Sequence, residues 1–145
     1  MSAGPAQVQL CALQVGGDHY AVDIMRVEEI LHPAPVTKVP GAPALIEGVV
    51  QLRGAVLPVL DVRRALGFVH LEPLGRLARL VVCRVGGRRL GLLVDAVTGV
   101  LKVELGELKP APSAAASAVV PGLLRHQERL YLLLDVLALL EGGLA

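Results

Sequence analysis

Aromatic side chains are almost missing from these 145 residues: there is no tryptophan, and Tyr20, Phe68 and Tyr131 are the whole set. Readers of single-stranded nucleic acid stack bases on aromatic faces, and readers of duplexes need a basic surface. The second is missing too, because 14 Lys and Arg stand against 13 Asp and Glu for a net charge of +1. Nucleic acid is therefore not an expected partner. Long hydrophobic runs are also scarce. The longest near-apolar stretch, Leu130 to Leu140, is broken by Asp135 and falls short of the ~20 residues of a membrane helix. The first residues, MSAGPAQVQ, lack a basic region followed by an apolar one, so no signal peptide is expected. A cytoplasmic protein without direct membrane insertion is the expectation. Cys11 and Cys83 are the only cysteines, and both sit in strand-like runs. They read as small buried hydrophobes of a reducing compartment rather than a disulfide.

Catalytic groups are equally thin. His19, His32, His70 and His126 form no i, i+4 pair, and no cysteine stands at metal-ligand spacing. Ser2, Ser113 and Ser117 lie in the tail or in an alanine-rich stretch, poor places for a preorganised nucleophile. Cys83 has Arg84 beside it, but neighbours in a strand point to opposite faces. No G-x-x-x-x-G-K phosphate loop occurs. The expectation is no enzyme, no metal and no cofactor.

What is present is strand. VQLCALQV, YAVDI, LIEGVVQL, AVLPVLDV, LARLVVCRV, RLGLLVDAV, GVLKVEL, AVVPGLLR and RLYLLLDV are short Val- and Leu-rich runs punctuated by glycine, proline or charge. GGDHY, GGRRL and Leu52-Arg53-Gly54 read as tight hairpin turns. Helix is expected over Ile24–Leu31, where Glu28 and Glu29 would form a solvated face, over Val62–Leu66, and in LLDVLALLEGG with Gly142-Gly143 as its stop. Residues 70–76 and 110–118 read as linkers. Pro58 predicts an edge position or a bulge in its strand.

The chain also repeats itself. GGDHYAVDIMRVEEIL aligns with GGRRLGLLVDAVTGVL, so that Val27 falls on Val97, Leu31 on Leu101 and Pro40 on Pro110. After a short insertion, GVVQLRGAVLPVLDV aligns with GLLRHQERLYLLLDV, and Leu60-Asp61-Val62 meets Leu134-Asp135-Val136. The shared order of turn, strand, glycine, strand pair and Asp-Val points to duplication. About five short strands per copy suit a small closed barrel, which removes exposed edges. An all-β protein of two related barrels follows, with a groove between them as the natural binding site.

Two features exceed what a plain domain needs: Arg53 at a hairpin turn, and the proline-rich VEEILHPAPVTKVPGAP. The plain readings are a solvated turn and a crossover between strands. A proline-fixed loop is nevertheless a rigid surface that loses little entropy on docking. YAVDIMRVEEIL, VTKVPGAPALIEGVVQLRGAVLPVLDVRRALG, LGLLVDAVTGVLKV, ELKPAP and LYLLLDV together resemble the CheW family of chemotaxis coupling proteins, over about Val8 to Leu140.

The resemblance implies a mainly β fold of two five-stranded SH3-like barrel subdomains around a shared hydrophobic core. Residues 8–141 would form one CheW-like domain. Subdomain 1 would take about 8–68 with a C-terminal helix at 135–141, and subdomain 2 about 77–134. It implies a non-catalytic adaptor linking chemoreceptor cytoplasmic tips, docked at the groove between subdomains, to the regulatory domain of the histidine kinase CheA. By resemblance, Arg53 and Glu29 serve receptor coupling, Val27 and Gly48 receptor and kinase coupling, and Gly54 supports the turn. Arg53 and Glu29 are expected to lie together at the groove mouth. The chain departs from the family in having Gln51 where Asn is usual and no phenylalanine in its first strand. Two other readings compete: an adaptor of a non-flagellar pathway for surface motility, pili or development, and a small-molecule sensor using the inter-barrel groove.

Overall fold

A computed structural model describes residues 6–112 and 117–144. The part of the 110–118 linker at 113–116 lies outside the described residues. The chain runs β1 (Gln7–Val15), β2 (Asp18–Asp23), β3 (Val27–Leu31), β4 (Ile46–Leu52), β5 (Ala55–Asp61), α1 (Val62–Ala65), β6 (Arg79–Val85) and β7 (Arg88–Val94). It continues through β8 (Ala96–Glu104), β9 (Leu108–Pro110), β10 (Gly122–His126), β11 (Arg129–Leu133) and α2 (Val136–Leu144). Every strand expected from the sequence is present.

The strands form two sheets, in the orders β8-β1-β2-β11-β10-β9 and β3-β6-β7-β5-β4. The repeat is visible in this layout, with β1 to β5 corresponding to β6, β7, β8, β10 and β11. The hairpin β1–β2 is flanked by β8 on one side and by β11 and β10 on the other. The hairpin β6–β7 is flanked in the same way by β3 and by β5 and β4. Each hairpin therefore pairs with the strands of the other copy. A split into 8–68 and 77–134 does not describe these sheets, since each draws strands from both halves of the chain. The six-stranded sheet also exceeds the expected five by the three-residue β9, whose counterpart in the other sheet is the single bridge Thr37–Val49. Two sheets of this kind are consistent with SH3-like barrels.

The central hairpins β1–β2 and β6–β7 are apolar without alternation because both of their faces are covered. The strands β3, β4, β8, β10 and β11 keep an exposed or partly exposed side. On β1, Cys11, Leu13 and Val15 enter a core shared by both sheets, whereas Leu10 and Ala12 enter the interior of the six-stranded one. On β6, Val81 and Cys83 face the shared core, and Leu80 and Val82 face the interior of the five-stranded sheet with Val50, Leu57 and Val59. Burial pushes the free Cys83 thiol up to about 12 and raises Cys11 as well, so neither is a reactive thiolate at neutral pH.

The repeated Asp-Val acquires a local reason. Asp61 accepts the Arg63 N–H at 3.0 Å at the start of α1, and Asp135 accepts the Ala138 N–H at 3.2 Å at the start of α2. Asp61 ends β5, Asp135 follows β11 by two residues, and each caps the helix that comes next. The valine after it, Val62 or Val136, drops into the shared core.

Three local expectations are corrected. Ile24–Leu31 is not a helix: a single 3-10 turn, Ile24–Arg26, leads into β3, because pairing with β6 outweighs a helix-compatible spacing of apolar residues. α2 does not stop at Gly142-Gly143 but runs through them to Leu144. Buried Val136, Leu139 and Leu140 anchor it, and packing of an apolar face overrides the poor propensity of glycine. Pro58 lies neither on an edge strand nor in a bulge of its own strand, since β5 sits between β7 and β4. Thr37 takes both the N–H and the C=O of Val49, the residue opposite Pro58. That makes Val49–Pro58 a non-hydrogen-bonded pair, and pairing with β7 begins only at Val59. The missing N–H of Pro58 thus costs no ladder bond. Among the described residues, no helix is long and apolar enough to cross a membrane.

Candidate interaction site

The β4–β5 hairpin turns at Arg53 (φ +50°) and Gly54 (φ +80°), the two positive values of a type I′ turn. Gly54 adopts this geometry without a Cβ penalty; Arg53 does not. The matching turn of the other copy, Gln127 (φ +50°) and Glu128 (φ +66°), has the same signature without any glycine. The conformation is therefore imposed by the twist of the hairpin, and strain at Arg53 is not itself a functional signal. What distinguishes Arg53 is its side chain.

Both terminal nitrogens of the Arg53 guanidinium donate to the Glu29 carboxylate. Glu29 belongs to β3 and Arg53 to the turn that directly follows β4; β3 and β4 are the two outermost strands of the five-stranded order. A bidentate pair between them requires the sheet to curl until its edges meet, so the ion pair spans the closure of the barrel. Arg53 remains 68% exposed and Glu29 20%, which places the carboxylate beneath the guanidinium. The structure thus joins Arg53 and Glu29, as expected.

Glu28 belongs to the same cluster. A regular strand would send it and Glu29 to opposite faces, but the β3–β6 register slips between Val27 and Glu29. Arg84 Nε and Arg89 Nε both donate to Glu28, the latter at 2.9 Å. Arg89 also draws on the Glu29 carboxylate electrostatically. The sequence reading missed this extension, although RVGGRR carries its signal. A two-residue Gly-Gly turn places Arg84 opposite Arg89, and facing like charges call for a counter-ion.

The hydrogen bonds from Arg53 hold the Glu29 carboxyl below its ordinary value, and those from Arg84 do the same for Glu28. A carboxyl with a lowered folded-state pKa contributes its interaction above the unfolded value, and the contribution disappears as the pH falls through the folded one. Carbon-detected NMR titration should place the Glu29 midpoint below the usual glutamate range, with Arg53→Gln moving it upward. An unchanged midpoint in Arg53→Gln would show that the pair does not persist in solution.

Val27 opens β3 and packs, half-buried, against the shared core, where it supports the strand that carries both glutamates. Gly48 lies on β4 against the chain at Val36 and Thr37: a Cβ there would sit 2.2 Å from the Thr37 carbonyl oxygen. Its copy, Gly122, meets the Lys109 carbonyl oxygen at 2.7 Å in the same way. The repeated glycine thus lets the proline-rich crossover lie directly on the strand.

A cleft of about 520 Å³ runs between α1 with Phe68 and the 117–123 segment, with Tyr20 and Leu132 in its lining. It lies between α1, which follows a strand of the five-stranded sheet, and β2, β10 and β11 of the six-stranded one. A second cleft of about 320 Å³ opens beside Leu10, Leu108 and Leu133. Neither is lined by Arg53 or Glu29, so the expected position at a groove mouth is not what the clefts outline. Among the described residues, no cluster of three or more His, Cys, Asp or Glu could hold a metal ion.

Two sheets sharing one core, with an ion-paired rim held out to solvent, define a β-barrel binding module. Residues 9–143 match the family described as the CheW-like domain. The chain is 38% identical over 131 residues to the chemotaxis protein CheW of Rhizobium meliloti (strain 1021), covering 88% of this chain and 84% of that relative. It is 30% identical over 131 residues to Protein PilI of Pseudomonas aeruginosa, covering 88% and 72%. The crystal structure of the scaffolding protein TtCheW from Thermoanaerobacter tengcongensis superposes with a TM-score of 0.82 at 25% identity, covering 94% of this chain and 89% of that one. The chain belongs to the CheW-like family, whose members are non-catalytic scaffolding adaptors of chemotaxis signalling.

Proposed function

We propose that this protein works in the cytoplasm and couples chemoreceptors to the histidine kinase CheA, binding the receptor tip and the kinase regulatory domain by separate surfaces. The observation that carries the reading is the outward Arg53–Glu29 pair. An exposed ion pair adds little to stability, so a bidentate one held across a barrel closure is better explained by presentation of a guanidinium to a partner. Glu29 orients Arg53, Val27 and Gly48 shape the strands beneath, and Gly54 completes the turn. Holding kinase at receptors raises its effective concentration there and lets receptor state shift the kinase between active and inactive forms.

The test is binding of the purified protein, wild type and Arg53→Ala, to the cytoplasmic tip of a receptor from the same organism and to the CheA regulatory domain. Arg53→Ala should weaken receptor binding by about tenfold or more, as a central arginine contact does. Kinase binding should remain, and the melting temperature should stay within about 2 °C, as for a surface substitution. Unchanged receptor affinity in Arg53→Ala removes the assigned role, and a wild type that binds neither partner refutes coupling altogether.

A further inference from the structure

The rim around Arg53 is asymmetric in a way the ion pair alone does not explain. Three guanidiniums, Arg53, Arg84 and Arg89, surround two carboxylates, Glu28 and Glu29, leaving one positive charge uncompensated. The carboxylates lie inside, with Glu28 at 28% and Glu29 at 20% exposure; Arg53 at 68% and Arg84 at 50% form the outer layer, and Arg89 at 24% lies level with the carboxylates. Arg84 and Arg89 each give only Nε to Glu28. Their Nη1 and Nη2 donors have no acceptor among the described residues. A guanidinium fixed at Nε presents its remaining edge as a fork suited to a carboxylate. The whole chain has a net charge of only +1, so it exerts no strong long-range pull on an anionic partner, and attraction at this rim is a local effect.

We propose that this end of the five-stranded sheet docks an acidic segment of a protein partner, whose carboxylate side chains are received by the free Nη edges of Arg84 and Arg89 beside Arg53. The inference rests on the coupling reading above and adds to it the chemistry of the partner surface and two specificity residues. Glu28 is then a positioning residue, holding two like charges together on one hairpin until a partner carboxylate joins them.

Binding of the full chain to the receptor tip and to the CheA regulatory domain, measured at low and high salt, tests this. Arg84→Gln and Arg89→Gln should each weaken one of the two complexes by about two- to fivefold at low salt and flatten its salt dependence. Arg84→Glu should weaken the same complex by about tenfold or more, because it sets like charges against each other. Arg129→Gln, on β11 in the other sheet, makes the same charge change as Arg84→Gln and should leave both complexes intact. Wild-type affinity and salt slope in Arg84→Glu would overturn the inference while coupling stands. An equal loss in Arg129→Gln would also overturn it, by tracing the effect to net charge. A wild type that binds neither partner would overturn coupling and this inference together. Melting curves of each variant separate lost affinity from lost fold, and Arg84→Gln carries the test if Arg84→Glu does not fold.

Discussion

Gly48→Ala is expected to lower the unfolding free energy by about 2–4 kcal/mol, combining overpacking with an unfavourable backbone conformation. The new Cβ would lie 2.2 Å from the Thr37 carbonyl oxygen and 2.6 Å from Val36 Cγ1, and φ stands at +155°. The nearest atom is backbone, so relief requires the crossover to move off β4. That movement breaks the reciprocal bonds between Thr37 and Val49, at 2.9 and 2.8 Å. Urea unfolding should show the lower midpoint, and hydrogen exchange should show faster loss of protection at the Thr37 and Val49 amides than elsewhere on β4. Gly122→Ala is the internal comparison. Its Cβ would meet the Lys109 carbonyl oxygen at 2.7 Å, and φ is not in the left-handed region, so the cost should be smaller. Equal, small effects at both sites would mean that the crossovers give way easily. The coupling role that family resemblance attaches to Gly48 would then need a reason other than close backbone approach.

Arg63→Ala should cost about 3 kcal/mol, because it leaves a buried carboxylate without its counter-ion. Asp61 and Arg63 are the only charged side chains found buried among the described residues. Arg63 donates from Nε at 3.1 Å and Nη2 at 2.8 Å to the two oxygens of Asp61, and from Nη1 at 2.7 Å to the Glu72 carbonyl oxygen. One side chain thus ties the end of β5, the start of α1 and the 70–76 linker together. The bonds that Arg63 donates to Asp61 raise its pKa further, so the guanidinium stays charged at any pH at which the protein is folded. The double variant Asp61→Ala/Arg63→Ala should cost less than the sum of the two single changes, since it leaves no unpaired charge behind. Urea titrations of the four proteins at neutral pH close that cycle. Additive costs would show that Asp61 and Arg63 act independently, with water doing for each what the pair is taken to do.

Much of this molecule is written locally. Both glycines of GGDHY, the first of GGRRL (Gly86) and the Arg53-Gly54 turn fall where hairpins need positive φ. The Asp-Val at the end of each repeat is a helix cap just after a strand pair. The unbroken apolar runs reflect strands covered on both faces. As site residues, Val27, Glu29, Gly48, Arg53 and Gly54 are singled out by family resemblance alone, which carries positions but no distances.

Tertiary structure decided what depends on partners far along the chain. Whether a hairpin pairs within its own repeat or with the other cannot be read from patterning, because both arrangements bury the same Val and Leu faces. VEEIL satisfies a helix spacing as well as a strand, and only β6 beside it chooses the strand. Glu28 looked like a solvated residue because its partners, Arg84 and Arg89, stand more than fifty positions away. Asp61 and Arg63 sit two residues apart, yet only the Glu72 carbonyl above them reveals a latch on the linker. Turns and caps are set by a few neighbouring residues, and those the sequence determines alone. Strand exchange and charge networks are set by which surfaces meet after collapse, and a single chain states that only once it has folded.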